Sequence, residues 1–264
     1  MQQALLWAAC GTAFTFSMTT LGAASVFLFR KRNSMLLQRI FLGFAAGVMI
    51  AASVWSLLIP AIEQAEEAGQ AGWLPAAGGF ALGGAFLMVL HQVMPHLHPG
   101  DDKPEGLPSK WDRPTLLFTA VTLHNIPEGM SVGLLFAMAA NSGGDPGMFG
   151  MAVALAIGIG IQNVPEGAAV ALPMLQEGMS PVKSFGLGAL SGLAEPVFGI
   201  LVVLFAGIIA PYMPWMLAFS AGAMMYVVVE ELIPEAHLGE HSNAGTLGVM
   251  AGFLVMMILD VALG

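Results

Sequence analysis

The sequence has very few charged residues. Of its 264 residues only 9% are Asp, Glu, Lys or Arg, whereas 57% are hydrophobic. Because a soluble domain carries about 25% charged residues, this chain cannot form an ordinary water-facing surface, and most of its exterior must face lipid. We expect one transmembrane domain over residues 1–264. No basic segment precedes the first apolar stretch as it does in a signal peptide, so that stretch is expected to remain as a span.

Cysteine and basic residues are also scarce. The single cysteine, Cys10, excludes an internal disulfide and a cysteine-rich zinc site, and we expect it to serve in packing. The net charge of −9 argues against nucleic acid and against a polybasic lipid-binding surface. A surplus of acidic residues suits a cation as the partner.

Long apolar stretches are what the chain does contain. A bilayer-spanning helix needs about 20 mainly apolar residues, and about eight such stretches are present. We predict an all-α bundle with a short cytoplasmic loop at about 96–114. The predicted spans are Ala4–Phe29, Leu36–Ile62, Ala76–Pro95, Thr115–Ala140, Gly147–Leu175, Val182–Ile209, Tyr212–Pro234 and Gly245–Leu263.

The basic residues predict the orientation. Every one lies in the connection between spans 1 and 2, spans 3 and 4, or spans 5 and 6, or within the first few residues of the span that follows it, and these connections are on the same side of the membrane. Cytoplasmic connections are enriched in Lys and Arg, so this side is the cytoplasm and both termini lie outside. The basic residues are Arg30, Lys31, Arg32, Arg39, Lys103, Lys110, Arg113 and Lys183.

Spans 2 and 7 contain an internal repeat. Phe44–Met49 reads F-A-A-G-V-M and Phe219–Met224 reads F-S-A-G-A-M, and each span ends in L-I-P. Successive spans alternate in direction, and span 7 comes five spans after span 2, so the two copies run in opposite directions. Inverted repeats are typical of transporters that work by alternating access. We therefore predict that spans 1–3 and 6–8 form an inverted repeat around spans 4 and 5.

Spans 4 and 5 each hold a copy of one polar motif. Leu123–Gly129 reads L-H-N-I-P-E-G and Ile161–Gly167 reads I-Q-N-V-P-E-G. His124 and Glu128 lie four residues apart and therefore share one helix face, and the same holds for Gln162 and Glu166. Each proline lacks an N–H and frees a carbonyl one turn earlier, which is tolerated at membrane depth only where protein, water or an ion satisfies it. The two polar faces are expected to meet near the midplane.

Uncompensated acids inside the spans point to a metal ion. A charged side chain at the bilayer centre costs about 2.5–3.5 kcal/mol on insertion scales, and Glu128, Glu166 and Glu195 lie deep in spans 4, 5 and 6. No Lys or Arg lies in the interior of a span to pair with them. A mobile metal is the interpretation we favour, and protonated, hydrogen-bonded glutamates are the alternative.

These motifs resemble the ZIP (Zrt/Irt-like) metal transporters. H-N-x-P-E-G in span 4 followed by Q-N-x-P-E-G in span 5 is similar to the bacterial GufA-type branch, and the resemblance covers the whole chain. It implies a two-metal site between spans 4, 5 and 6. One position would use His124, Glu128, Gln162 and Glu166; the other would use Asn125, Asn163 and Glu195, with Glu128 and Glu166 bridging. Gln162 and Asn163 replace His and Asp of relatives, which weakens the ligand set.

Other polar residues are candidates for the route to the cytoplasm. His91, Glu230 and Glu231 are predicted exit residues, although a structural histidine and an interfacial acidic end are the plain alternatives. His96 and His98 are candidate metal ligands in the cytoplasmic loop. The alternative is that this loop is a solvated segment with no ligand role. His237 and His241 are candidates of the same kind, and Met94 is either a soft ligand along the route or a packing residue.

The predicted function is transport of Zn²⁺, and also Cd²⁺, Fe²⁺ or Mn²⁺, into the cytoplasm. The import direction is implied by the resemblance, and the metal is the cargo, so no organic cofactor is expected. An intramembrane metal-dependent hydrolase is the alternative from another class, but the chain lacks H-E-x-x-H. A carrier for another cation also stays open. The expected location is a bacterial inner membrane, and a homodimer is expected.

Overall fold

A computed structural model describes residues 2–28, 35–97, 103–143, 145–176, 178–237 and 243–263. In these ranges the regular structure is helical, apart from one backbone bridge between His96 and Glu105, which confirms the predicted all-α class. The helices of the first half are α1 (Gln2–Ala23), α2 (Met35–Ala52), α3 (Ile59–Glu67), α4 (Trp73–Val93) and α5 (Arg113–Asn141). Those of the second half are α6 (Pro146–Gln176), α7 (Pro181–Ser191), α8 (Ala194–Leu204), α9 (Ala206–Ile209), α10 (Met213–Val227), α11 (Ile233–His237) and α12 (Ala244–Leu263).

Seven helical segments in the described ranges are long and apolar enough to cross a membrane. They correspond to seven of the eight predicted spans. The remaining predicted span, span 4, is α5, which is also long but carries the polar motif L-H-N-I-P-E-G. Span 1 is α1 continued by a 3₁₀ turn, span 3 is α4, span 5 is α6, and span 8 is α12.

Three spans are not the continuous α-helices that apolar stretches alone suggest. Span 6 breaks between α7 and α8, at Gly192 and Leu193. Spans 2 and 7 each contain a wider π-helical turn, at Ser53–Leu58 and at Val228–Leu232. Each π turn immediately precedes the L-I-P proline, which has no N–H to bond the carbonyl four residues earlier. The same irregularity therefore occurs in both copies of the repeat.

The helix packing follows the inverted repeat. The pairs in most extensive contact are α2 with α12, α4 with α10, α1 with α6, and α5 with α8. The inverted repeat matches spans 1, 2, 3 and 4 to spans 6, 7, 8 and 5. Under this matching the α2–α12 pair corresponds to the α10–α4 pair, and the α1–α6 pair corresponds to the α8–α5 pair. Two copies of the same packing arrangement thus build the bundle.

Glycines at matched positions allow the closest backbone contacts. A Cβ atom on Gly83 would clash with the carbonyl oxygen of Phe219, and one on Gly252 would clash with that of Phe44. Gly129, at the end of the span 4 motif, likewise lies against the carbonyl of Glu195 on α8. Small residues let transmembrane backbones approach this closely, so the repeat is specified in part by glycine.

Candidate metal site

The two P-E-G motifs lie in the middle of α5 and α6, and the helices continue through their prolines. Six of the seven predicted ligands lie in these motifs, and the seventh, Glu195, lies on α8. All seven are buried, with relative exposures of 8% or less: His124, Asn125, Glu128, Gln162, Asn163, Glu166 and Glu195. So many buried polar side chains in a lipid-embedded protein need partners, because an unpaired polar group is costly there.

Gln162 joins the two motif glutamates. Its Nε2 donates to Oε1 of Glu128 at 2.7 Å and approaches Oε1 of Glu166 at 3.4 Å. The carboxylates of α5 and α6 are therefore held on either side of one neutral amide.

The two motif asparagines are anchored in equivalent ways. Asn125 Nδ2 donates to the carbonyl oxygen of Ser191 at 3.0 Å, and Asn163 Nδ2 donates to that of Thr15 at 3.3 Å. Ser191 in span 6 and Thr15 in span 1 occupy matched positions of the repeat. Each amide nitrogen is used for a backbone carbonyl, and each Oδ1 oxygen is left without a hydrogen-bond partner among the described residues.

Glu195 enters the site through the break in span 6. It lies in the first turn of α8, where the partial positive charge of a helix N-terminus stabilises a carboxylate. The hydroxyl of Thr19 on α1 donates to its Oε1 at 2.9 Å. A continuous span 6 would not bring a helix N-terminus to this depth, so the break has a direct electrostatic consequence for the site.

Six oxygens of this set have no hydrogen-bond partner among the described residues. Each belongs to a predicted ligand, and each is fully buried: Asn125 Oδ1, Glu128 Oε2, Gln162 Oε1, Asn163 Oδ1, Glu166 Oε2 and Glu195 Oε2. Leaving one such acceptor unpaired costs about 1–3 kcal/mol, and more for a charged group. Oxygen atoms without donors are what a cation would coordinate.

His124 contacts a second acidic group, on the side of the motif toward the start of α5. Its Nε2 lies 2.6 Å from Oε1 of Glu231, and Nε2 of His91 lies 3.3 Å from the same oxygen. One ligand atom from each of these three buried residues lies within 4.8 Å of the other two. The structure thus links the span 4 histidine to two of the predicted exit residues, His91 and Glu231.

The other predicted exit and loop residues have different environments. Glu230 is exposed and lies outside this cluster. His96 is fully buried rather than in a solvated loop; its ring centroid lies 4.6 Å from that of His91. Its backbone pairs with Glu105 in both directions. The carbonyl oxygen of Met94 accepts a hydrogen bond from His96 Nδ1 at 2.8 Å.

Three of the candidate histidines lie outside the described residues or at the end of a described range. His98 and His241 lie outside the described residues, and α11 ends at His237. Cys10 is exposed on α1, rather than packed in the interior as expected.

A small cavity of about 30 Å³ lies beside the site. Its lining includes His124 and Glu166 at the motifs, and Glu231 and Glu235 near the end of span 7. This volume is about that of one water molecule. It places acidic side chains at successive depths between the motif residues and the end of α11.

Sequence reasoning missed three residues that contact or line the site. Thr15 and Thr19 hold Asn163 and Glu195, and Glu235 lines the cavity. The available signal for the threonines was their spacing, since Thr12, Thr15 and Thr19 share one face of α1. Glu235 follows the L-I-P repeat directly, and only its position after Pro234 could have marked it.

The fold and site define a multi-pass membrane protein with a buried cluster of carboxylate, amide and imidazole side chains, the types that bind divalent metals. A family model described as ZIP zinc transporter matches residues 111–260, which include both P-E-G motifs and Glu195. The chain belongs to the ZIP zinc transporter family. Membership of a transporter family places it among transporters of divalent metals rather than enzymes, as the sequence predicted.

Named relatives span most of the chain. It is 37% identical to zinc transporter ZIP11 of Homo sapiens over 99% of this chain and 97% of that protein. It is 38% identical to zinc transporter GufA of Myxococcus xanthus over 80% and 81% of the two chains. Zinc transporter ZIPB of Bordetella bronchiseptica is 36% identical over 98% and 82%. The resemblance to the GufA-type branch is therefore confirmed.

Proposed function

We propose that this chain carries Zn²⁺ from outside the cell to the cytoplasm through the buried site formed by α5, α6 and α8. One metal position uses His124, Glu128, Gln162 and Glu166. A second position uses Asn125, Asn163 and Glu195, and shares the carboxylates of Glu128 and Glu166. Cd²⁺, Fe²⁺ and Mn²⁺ are further substrates of the same site.

The observation that carries this proposal is the set of six buried oxygens without protein partners. They lie on six of the seven proposed ligands, while the nitrogen atoms of Gln162, Asn125 and Asn163 are already bonded. The polar atoms of the motif amides and glutamates that remain without partners are therefore hydrogen-bond acceptors and not donors. A divalent cation satisfies several acceptors at once and neutralises the three glutamates, which an apolar ligand or an anion cannot do.

The ligand types favour a transition metal. The proposed set contains one imidazole, three carboxylates and several amide oxygens, with no thiolate. Imidazole suits Zn²⁺ and Fe²⁺, whereas oxygen-only sets suit Mg²⁺ and Ca²⁺. Mg²⁺ also dehydrates reluctantly and prefers to keep its waters, which a passage this narrow does not accommodate.

The cytoplasmic route begins at His124. This imidazole contacts Glu231, and Glu231 contacts His91, so a metal leaving the motifs meets a second group of ligands at once. The cavity that adjoins both groups extends to Glu235. These contacts support release of the metal on the side of the membrane where the Lys and Arg residues are found, which the sequence predicts to be the cytoplasm. We further propose that the membrane is a bacterial inner membrane and that both termini lie outside.

A flux assay on purified protein tests the proposal. Wild-type protein in liposomes should take up radioactive zinc, whereas Glu128→Ala and Glu166→Ala should each abolish uptake, because nothing else in these spans replaces the lost carboxylate. Glu63→Ala is the matched control, since Glu63 is exposed in the middle of α3. Wild-type uptake by either motif variant would remove this site from the transport route.

A further inference from the structure

The inner face of α1 is polar, although no α1 residue belongs to the proposed ligand set. Thr12, Thr15 and Thr19 are spaced three and four residues apart and are essentially fully buried. Thr12 donates to the carbonyl of Ala8 at 2.7 Å, and Thr15 donates to that of Thr12 at 3.1 Å. The side chains of Thr15 and Thr19 are also within hydrogen-bonding reach of the Glu195 carboxylate in span 6, and Thr19 makes the contact of 2.9 Å.

The hydroxyl of Thr19 has one proton and two acceptors within reach. Oε1 of Glu195 lies 2.9 Å away, and the carbonyl oxygen of Thr15 lies 3.3 Å away. That carbonyl already receives the Asn163 amide, whereas the carboxylate is the shorter contact. A hydrogen bond to an ionised acceptor is also about twice as strong as a neutral one. The proton of Thr19 is therefore donated to Glu195.

This bond decides which carboxylate oxygen is available. The terminal torsion of a glutamate side chain is broad and has no strong preference of its own, so an unanchored carboxylate would sample many orientations. With Oε1 held by Thr19, Oε2 of Glu195 remains buried and without a partner among the described residues. The hydroxyl thus fixes the orientation in which Glu195 offers one oxygen.

The backbone that carries Thr19 is itself held tightly. A Cβ atom on Gly167, the residue after Glu166, would clash with the carbonyl oxygen of Thr19. Gly22, one turn further along α1, packs in the same way against the carbonyl of Val164. The threonine therefore projects from a helix that lies in direct backbone contact with the span 5 motif, so its hydroxyl has a defined position relative to Glu166 as well as to Glu195.

We propose that Thr19 is a positioning residue of the metal site, which orients the Glu195 carboxylate for the second metal position. This makes α1 part of the binding machinery although it supplies no ligand. The inference rests on the proposed function, since it needs Glu195 to bind metal. A hydrogen-bonding partner that orients a metal ligand typically contributes about 10- to 100-fold in metal affinity.

Zinc affinity of the purified full-length protein tests this, measured by competition with a chromophoric chelator. Thr19→Val keeps the shape but loses the donor, and should weaken zinc binding about tenfold, whereas Thr19→Ser should restore binding close to wild type. Thr12→Val is the matched control, because it removes a buried hydroxyl of the same face that bonds only locally. If Thr19→Val does not fold, Thr19→Ala takes its place with the same expected loss.

The coupling to Glu195 separates positioning from a general structural effect. In a Glu195→Ala background, Thr19→Val should cause no further loss. An equal loss in both backgrounds, no loss in the wild-type background, or failure of serine to rescue would each overturn the inference. Glu128→Ala distinguishes the two levels: if that variant binds zinc normally, the proposed function itself fails, whereas loss there with a silent Thr19→Val refutes only the role of Thr19.

Discussion

Gln162 occupies the most constrained position in the site, between the carboxylates of Glu128 and Glu166. Its amide nitrogen bonds Glu128 at 2.7 Å, and its own oxygen has no partner among the described residues. The side chain can therefore hold a bridging carboxylate and offer an oxygen to a metal at the same time.

Gln162→Ala should lower zinc uptake, but less than Glu166→Ala does. A neutral amide oxygen contributes less to a divalent cation than a carboxylate, and Glu128 keeps its charge in the variant. Initial rates of zinc uptake in proteoliposomes compare the two variants at equal protein density. Equal loss in both would mean that Gln162 contributes more than one weak ligand.

His124 should determine which metals are accepted. His124→Asp makes the proposed site all-oxygen, and such sites suit Mn²⁺ better than an imidazole-containing site does. We expect the ratio of Zn²⁺ to Mn²⁺ uptake to fall in this variant. Competition uptake with both metals measures that ratio directly, with millimolar Mg²⁺ as a competitor that should not inhibit the wild type. An unchanged ratio, or inhibition by Mg²⁺, contradicts the transition-metal assignment.

At the scale of helices, glycine contacts join the two halves of the repeat. Gly83 on α4 lies against the carbonyl of Phe219 on α10, and Gly252 on α12 lies against that of Phe44 on α2. Side chains at these positions would have to separate the helices. The neighbouring Gly84 is different, because a Cβ atom there would lie at ordinary contact distance, 3.7 Å from the carbonyl oxygen of Gly222.

Gly83→Ala should therefore destabilise the protein by about 1–3 kcal/mol, as overpacking does, while Gly84→Ala should be nearly neutral. Gly252→Ala should resemble Gly83→Ala, because it is the equivalent position in the other copy. Denaturation in detergent, followed by tryptophan fluorescence, compares the three variants. Similar stability of Gly83→Ala and Gly84→Ala would show that the helices are less closely packed at this contact than described.

The elements differ in how well they could be predicted. The apolar stretches, the two P-E-G motifs and the F-x-A-G-x-M repeat are local patterns, so the spans, the motif residues and the inverted repeat followed from them. The break before Glu195 and the π turn before Pro234 have no comparable pattern. The contact of Thr19 with Glu195 joins residues 176 positions apart, and only the assembled bundle brings them together.

The same distinction explains the exit residues. Glu230 and Glu231 are adjacent in sequence and could not be separated by composition alone. The π turn at Val228–Leu232 sets their directions, so that Glu231 is buried against His124 while Glu230 is exposed. A helix of ordinary pitch would shift both, and the choice between them depends on this irregularity.

For the whole molecule, orientation in the membrane can be tested by labelling. In a Cys10→Ala background, Gln70→Cys, between spans 2 and 3, should react with an impermeant thiol reagent added outside intact cells. Pro104→Cys, between spans 3 and 4, should react only after the cells are permeabilised. Both positions are exposed, so access depends on the side of the membrane. The reverse pattern would invert the topology and, with it, the proposed direction of release.

The central claim is that a divalent metal binds between the P-E-G motifs of α5 and α6. Anomalous scattering from a crystal of the full-length protein grown with Cd²⁺ tests it most directly, because the ion is located without reference to activity. We predict an anomalous peak within bonding distance of carboxylate oxygens from both Glu128 and Glu166. Peaks only at exposed acidic or histidine side chains, with none between these two glutamates, would contradict the account.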